Sequence, residues 1–418
     1  MKRLIVFVVM LPSLLSAQQV VPDRLTVFID CSNTWCDMTF IRSEITVVNF
    51  SLDRLTADVH VLLTSIPMGG GGQQYQVIFY YQGNFSKAFD TLRYSTSPVA
   101  TDFEKRDQLV KYLKVGLASS IAKTKAIDEM TITMKSDQPA EQSNKLQTDK
   151  WNYWVYRINI DGSFDGDANY TSARLSGELS ASRTTDKSIT RFSSYVGTNR
   201  SLYKYDGGKT LVDNHFWGFD HSFIKTLGTK SGAGYETVYN QSTFSNNQGK
   251  LFVRAAFEYN FFPYSEVNNK LFTLSYGPYM QYNNYYDSTI FNKTDEVLFG
   301  HMAVASLSLN QKWGTVGIGV AYRNFFHDWQ FYNVGANINT DVRITGGLSF
   351  YANFFGSIVH DQVYLPRGGA STEEVLTRRR QLASSYNLFV SFGLTFRFGS
   401  ILNNFVNPRF SGPGNWVF

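Results

Sequence analysis

From Trp151 to Phe398 the chain is written in alternating segments, and that period decides what it can fold into. In NLFVSFGLTFRFGS, residues 387–400, Leu388, Val390, Phe392, Leu394, Phe396 and Phe398 share one face, while Ser391, Gly393, Thr395 and Arg397 share the other. Side chains alternate across a strand, so one face is greasy and the other small and polar. WVYRINIDG, RLSGELSAS, KLFVRAAFEYNFF, LFTLSYGPYMQYN, VGIGVAYRN, NVGANINTDVRI and LSFYANFFGSI repeat the pattern, separated by Asp, Asn, Gly and Lys turns. Adding 189–205, 212–227, 234–247 and 301–311 brings the count to about twelve strands.

A soluble sandwich and a barrel in lipid both alternate this way, with opposite faces inside. A sandwich turns its polar face to water and studs it with Lys and Glu. Here that face is mostly Ser, Gly, Thr and Asn, with isolated charges: Arg157, Asp161, Arg174, Glu178, Arg254, Glu258, Asp341, Arg343 and Arg397. Such residues suit a crowded lumen in which charges pair across the interior; Asp161 or Glu178 is the expected partner of Arg397. Trp and Tyr gather at strand ends (Trp151 with Trp154, Tyr282 with Tyr285 and Tyr286, Trp329 with Tyr332), as at a membrane interface. Alternate connections are short (TDK, LGTKS, SEVNNK, QKWG, TGG), as periplasmic turns are, and longer ones near 286–297 and 365–381 fall on the outer side. The fold class expected is a transmembrane antiparallel β-barrel at residues 151–400, with both ends on the periplasmic side.

The N-terminus reads as an export signal over residues 1–17: Lys2 and Arg3, an apolar run, then small residues to Ala17. The run is too short to span a bilayer, which takes roughly 20 residues. The two cysteines, Cys31 and Cys36 in CSNTWC, are expected to form a disulfide in an oxidising compartment. Residues 23–135 read as a small α/β domain. RLTVFIDC is a strand, DMTFIRSEI a helix, and ADVHVLLTSI with QYQVIFYYQG a hairpin across PMGGGGQ. A long helix follows through FEKRDQLVKYLKVGLASSIAKT, with Leu109, Leu113 and Leu117 inward, and MTITMK is expected to close the domain as a strand. Residues 136–150 form a polar linker and 401–418 a periplasmic tail.

YNQSTFSNNQ, FEYNFFPYSE, VYLPRGGASTEEVLTRRRQLA and FGSILNNFVNPRF make the chain resemble two-part outer-membrane proteins of Gram-negative bacteria: a barrel preceded by a periplasmic domain. That resemblance covers the whole barrel and implies architecture rather than chemistry. The strand pair ADVHVLLTS and QYQVIFYYQG resembles the small α/β domain of TolB and of curli-secretion-channel proteins, which implies a periplasmic protein-contact module.

Chemistry-bearing motifs are few. His327-Asp328 and His360-Asp361 lie at the outer ends of two strands about 10 Å apart by strand spacing. They suit a metal or an acid–base pair, and equally a polar step from strand into turn. The glycines of PMGGGGQ lead into a strand, not the helix a phosphate loop needs. Ser120 and Lys123 match S-x-x-K without its companion motifs. Ser371 and Glu374 form a capping box, so a short outer helix is expected to present Arg378, Arg379 and Arg380 as a lid, a contact for lipopolysaccharide or a surface partner, or a solvated loop. The net charge of +5 has no long basic run behind it, which argues against nucleic acid. No cofactor is expected. The expected surroundings are outer-membrane lipid and lipopolysaccharide, with a further envelope protein on the α/β domain. Two readings lead: a non-enzymatic envelope component that docks through its periplasmic domain, and a narrow small-solute channel. An outer-membrane enzyme is the least supported.

Overall fold

The computed structural model describes residues 22–31, 34–69, 71–85, 89–132, 149–345, 347–368, 382–400 and 402. The export signal, nearly all of the linker and the tail, and the loop with Arg378, Arg379 and Arg380 lie outside them.

The N-terminal part consists of β1 (Leu25–Asp30), α1 (Met38–Glu44), β2 (Val48–Phe50), β3 (Val59–Pro67), β4 (Gln73–Tyr81), β5 (Asp90–Thr96) and α2 (Asp102–Ile121). Its sheet runs β2-β1-β3-β4-β5, with β1 parallel to β2 and β3 and the other neighbours antiparallel. Asp37 caps α1 by accepting from the Phe40 N–H at 2.9 Å. Thr101 and Glu104 form a reciprocal capping box at the start of α2. The helices cover one sheet face, where Ile41, Leu113 and Leu117 are buried with Val27, Val61, Val77 and Phe79. Gly116 lets α2 approach the sheet: a Cβ there would stand 2.0 Å from the Phe79 ring. Cys31 and Cys36 form the disulfide.

The described part of MTITMK, residues 130–132, does not supply the closing strand. Met130 donates its N–H to the Ile127 carbonyl at the end of a 3-10 turn, so the chain is curled there, and residues 130–132 are not in a strand. The sheet is completed instead by β2 and β5, which the sequence reading left unassigned.

Twelve long strands follow: β6 (Trp154–Gly166), β7 (Tyr170–Thr184), β8 (Ser188–Tyr205), β9 (Gly208–Thr226), β10 (Ser231–Ser242), β11 (Asn247–Asn260), β12 (Lys270–Tyr285), β13 (Asp295–Gln311), β14 (Gly314–Phe325), β15 (Asp328–Arg343), β16 (Leu348–Val359) and β17 (Tyr386–Phe396). Each pairs antiparallel with its sequence neighbours in one sheet, an up-and-down order. The expected faces hold. Ile158, Phe164, Leu388, Phe392 and Leu394 are exposed on the apolar face. The register carries that face across the ladder, as in Ile318↔Ile338↔Phe354↔Val390.

No ladder among the described residues joins β17 to β6, the strands a closed barrel brings side by side. The curl is evident from what the α/β domain touches. Ser182 of β7 donates to the Gly69 carbonyl at 3.1 Å, and the Arg157 guanidinium of β6 packs beside Gly71. On the far side of the sheet, Arg343 of β15 reaches Asp30. Laid flat, the nine strand spacings from β6 to β15 would span about 43 Å, whereas a domain of this size, with a radius of gyration of about 13 Å, is only about 34 Å across. One small domain meets both flanks because the sheet is rolled: the fold is a twelve-stranded transmembrane β-barrel with an α/β domain on its short-turn end.

Candidate functional site

Helices cover one face of the α/β sheet, yet the other face is buried as well. His60, Leu62, Thr64, Gln76 and Ile78 lie on that face and are all buried. What covers them is the short-turn end of the barrel. The Asn268 side chain, in the β11–β12 connection, donates to Gln76 Oε1 at 2.7 Å. Arg54 donates to the Lys312 carbonyl in the β13–β14 turn at 2.7 Å. The Lys312 ammonium sits 3.7 Å from the centre of the Tyr80 ring, a cation–π contact.

The strongest tie is ionic. Arg343, at the end of β15, sends both terminal nitrogens to the Asp30 carboxylate; Nη2 lies 2.6 Å from Oδ1 and Nη1 meets Oδ2. Asp30 is 1% exposed, so its charge depends on this bidentate partner rather than on water. His60 completes the cluster, with Nε2 3.2 Å from Asp30 Oδ2 and its ring 5.2 Å from Phe28. Burial pushes the His60 pKa below its ordinary value; Asp30 opposes that shift, and Arg343 and Lys312 reinforce it. The imidazole is therefore neutral at pH 7.

The opposite end of the barrel is filled from within. Tyr279, Leu298 and Phe325 share the inward face by register, and Val363 from the chain after β16 packs among them. Arg323 pairs with the buried Asp361 at 2.6 Å, and Asn333 donates to the same carboxylate at 3.0 Å. Backbone bonds from Ile290 to the Leu365 carbonyl and from Arg367 to the Ser288 carbonyl hold the segment in place. At the short-turn end, a cavity of about 830 Å³ opens along β8–β12 where Ser222, Gly232, Gly234, Ala256 and Ser275 leave room, rimmed by the turns that carry Asp186, Gly228 and Tyr264. Its charged walls are Asp186, Arg191, Glu236, Arg254 and Glu258. Arg254 pairs with Glu236 at 3.2 Å, and Tyr264 donates to Glu258 at 2.8 Å.

The expected lumen charges thus have several fates. Arg254 and Glu258 line the cavity, while Arg157 and Arg343 serve the contact with the α/β domain. Asp161 accepts from Ser176 and Glu178 from Ser193, so both act on neighbouring strands rather than on Arg397, contrary to expectation. Asp341 lies opposite Thr315, and Arg174 opposite Ser163 and Asn199. The two His-Asp pairs do not converge. His327 stacks between Phe325 and Phe331, Asp328 accepts from the Gln330 N–H, and His360 packs on Tyr332 while Asp361 turns inward. Among the described residues no group of three or more His, Cys, Asp or Glu is arranged to hold a metal ion.

Sequence reasoning missed Asp30 and His60. The available signal was VHVLLTS, a strand apolar on both faces in a domain with helices enough for only one.

Fold and site together define an outer-membrane-type β-barrel whose short-turn mouth is covered by its own N-terminal domain. No family model matches the chain, and no curated protein does. Among solved structures, the NanC porin in a rhombohedral crystal form is similar over 58% of this chain and 99% of its own, at 9% identity and a TM-score of 0.28. At that score the likeness carries no weight, and the barrel assignment stands on strand order, exposure and the capped mouth.

Proposed function

We propose that the protein is a gated outer-membrane barrel, a narrow passage for small solutes held shut by its own α/β domain on the periplasmic side. The observation that carries this reading is the burial of the sheet's second face against the barrel turns, locked by Asp30 and Arg343. The inward segment at Asp361 closes the other end, and the cavity at the short-turn end is of ligand-binding size. A barrel of about twelve strands has a small lumen, so two such closures suffice to seal it.

The docking reading keeps its own support. The α/β domain exposes Phe103, Val115 and Val99, at 60%, 61% and 84%, on surfaces the barrel leaves uncovered. An envelope protein that binds there is positioned to pull the cap away.

Planar-bilayer recording tests the passage directly. The native protein is expected to conduct rarely, and Arg343→Leu combined with Asp361→Ala, which loosens both ends, to open persistently. Silence from both proteins removes the passage reading and leaves the docking one.

A further inference from the structure

Four arginines meet where the cap joins the last three strands. Arg42 of α1 and Arg54 of the loop after β2 come from the cap, and Arg343 and Arg397 from the barrel. With Ser51 and Ser349 they line a pocket of about 200 Å³ whose walls contain no carboxylate.

Asp30, just behind the pocket, matches the charge of Arg343. The other three guanidinium groups have no such match in the pocket. Arg54 gives Nη1 to the Lys312 carbonyl, but its Nε is buried without a partner, and so is the Nε of Arg42. Burial also pushes the Arg42 pKa below the usual guanidinium value, so the charge is held there at a cost. Arg42 and Arg54 are half-buried and Arg397 is exposed; like charges gathered round one pocket repel, and each buried N–H without an acceptor adds its own penalty. An arrangement of this kind is stabilised by an anion.

We propose that this pocket binds a phosphate group that bridges the cap and the barrel. A phosphate brings about −1.5 to −2 charges and three strong acceptor oxygens, which suits several guanidinium forks from separate elements better than a lone carboxylate does. The volume corresponds to about seven waters at about 30 Å³ each, room for one phosphate and part of its shell. Phe28, Phe50 and Leu348 are among the apolar residues of the wall. The phosphate is therefore either a free ion or the headgroup of a phospholipid. Because each unit supplies two of the arginines, the site is complete only when the cap is seated, and occupancy stabilises that state by mass action. The inference rests on the seated cap and not on whether solute passes.

Equilibrium dialysis of the full chain in a neutral detergent, with radiolabelled inorganic phosphate at constant ionic strength, tests it. One saturable site is expected, weakened at least tenfold by Arg42→Gln with Arg54→Gln and less by the two lysine substitutions. Dihexanoyl phosphatidylglycerol then separates the sources. Displacement well below the phosphate's own half-saturation assigns a headgroup, and absence of displacement assigns free phosphate. If neither probe binds the native protein saturably, or if the glutamine variant binds equally well, the proposal is wrong. Heat-modifiable migration on a gel verifies that each variant barrel is folded.

Discussion

Replacing Arg343 by leucine should release the cap by an amount the geometry fixes. Asp30 is 1% exposed and takes both guanidinium nitrogens, so the substitution strands a carboxylate away from water. Removing one partner of a buried pair costs about 3–5 kcal/mol, and the partial exposure of Arg343 argues for the lower end. About 3 kcal/mol is roughly a 150-fold shift in the docking equilibrium. Thr64 offers the reporter. It is buried on the capped face, its hydroxyl makes no hydrogen bond, and the two native cysteines are tied in a disulfide. In a Thr64→Cys background the thiol reacts with a maleimide only when the cap lifts, so the labelling rate measures the open fraction. Arg343→Leu should raise that rate about 100-fold. Asp30→Asn with Arg343→Met removes both charges while keeping a polar partner for His60, and should return the rate to within about tenfold of native. An unchanged rate in the single variant, or a double variant faster than the single, would refute the ionic latch.

Two further outcomes follow from the same contacts. His60 is held neutral when the cap is seated and charges more readily when released, so docking is unaffected above about pH 6.5 and weakens as the pH falls below it. Labelling at Thr64→Cys, divided at each pH by the rate of a free thiol so that the falling thiolate fraction cancels, should rise by up to about tenfold per pH unit below that point, and His60→Phe should flatten the profile; a profile that survives the substitution assigns the effect elsewhere. Gly116→Ala should destabilise the α/β domain by about 1 kcal/mol or more, because the clash with Phe79 outweighs the gain in helix propensity. A melting temperature equal to or above native would show that α2 shifts without cost.

The barrel was legible because its physics is local. A strand between lipid and lumen must alternate, and most of the twelve segments did, down to the glycines and serines of the inward face in β17; those at 189–205, 212–227 and 234–247 carry the pattern only weakly. The α/β domain was legible in its helices and central hairpin. Its edge strands were not: VNF is only three residues long, and DTLRYST is a half-exposed edge with little apolar pattern. The cap was hidden for a different reason. Arg343 looks in sequence like any inward charge, and only the rolled sheet brings it to Asp30, 313 residues away. VHVLLTS held the clue, since apolar side chains on both faces require a cover on both. His327 and Asp328 illustrate the converse, a suggestive pair that the fold uses for ring stacking and a turn.

The most direct test of the capped mouth is a cross-link. Gln76 and Asn268, one on each unit, share a buried side-chain hydrogen bond of 2.7 Å. Gln76→Cys with Asn268→Cys, oxidised in intact outer membranes, should form a disulfide through small movements of the connection that carries Asn268, and Arg343→Leu should slow its formation. A pair that stays reduced under conditions that preserve the native Cys31–Cys36 bond would contradict the account.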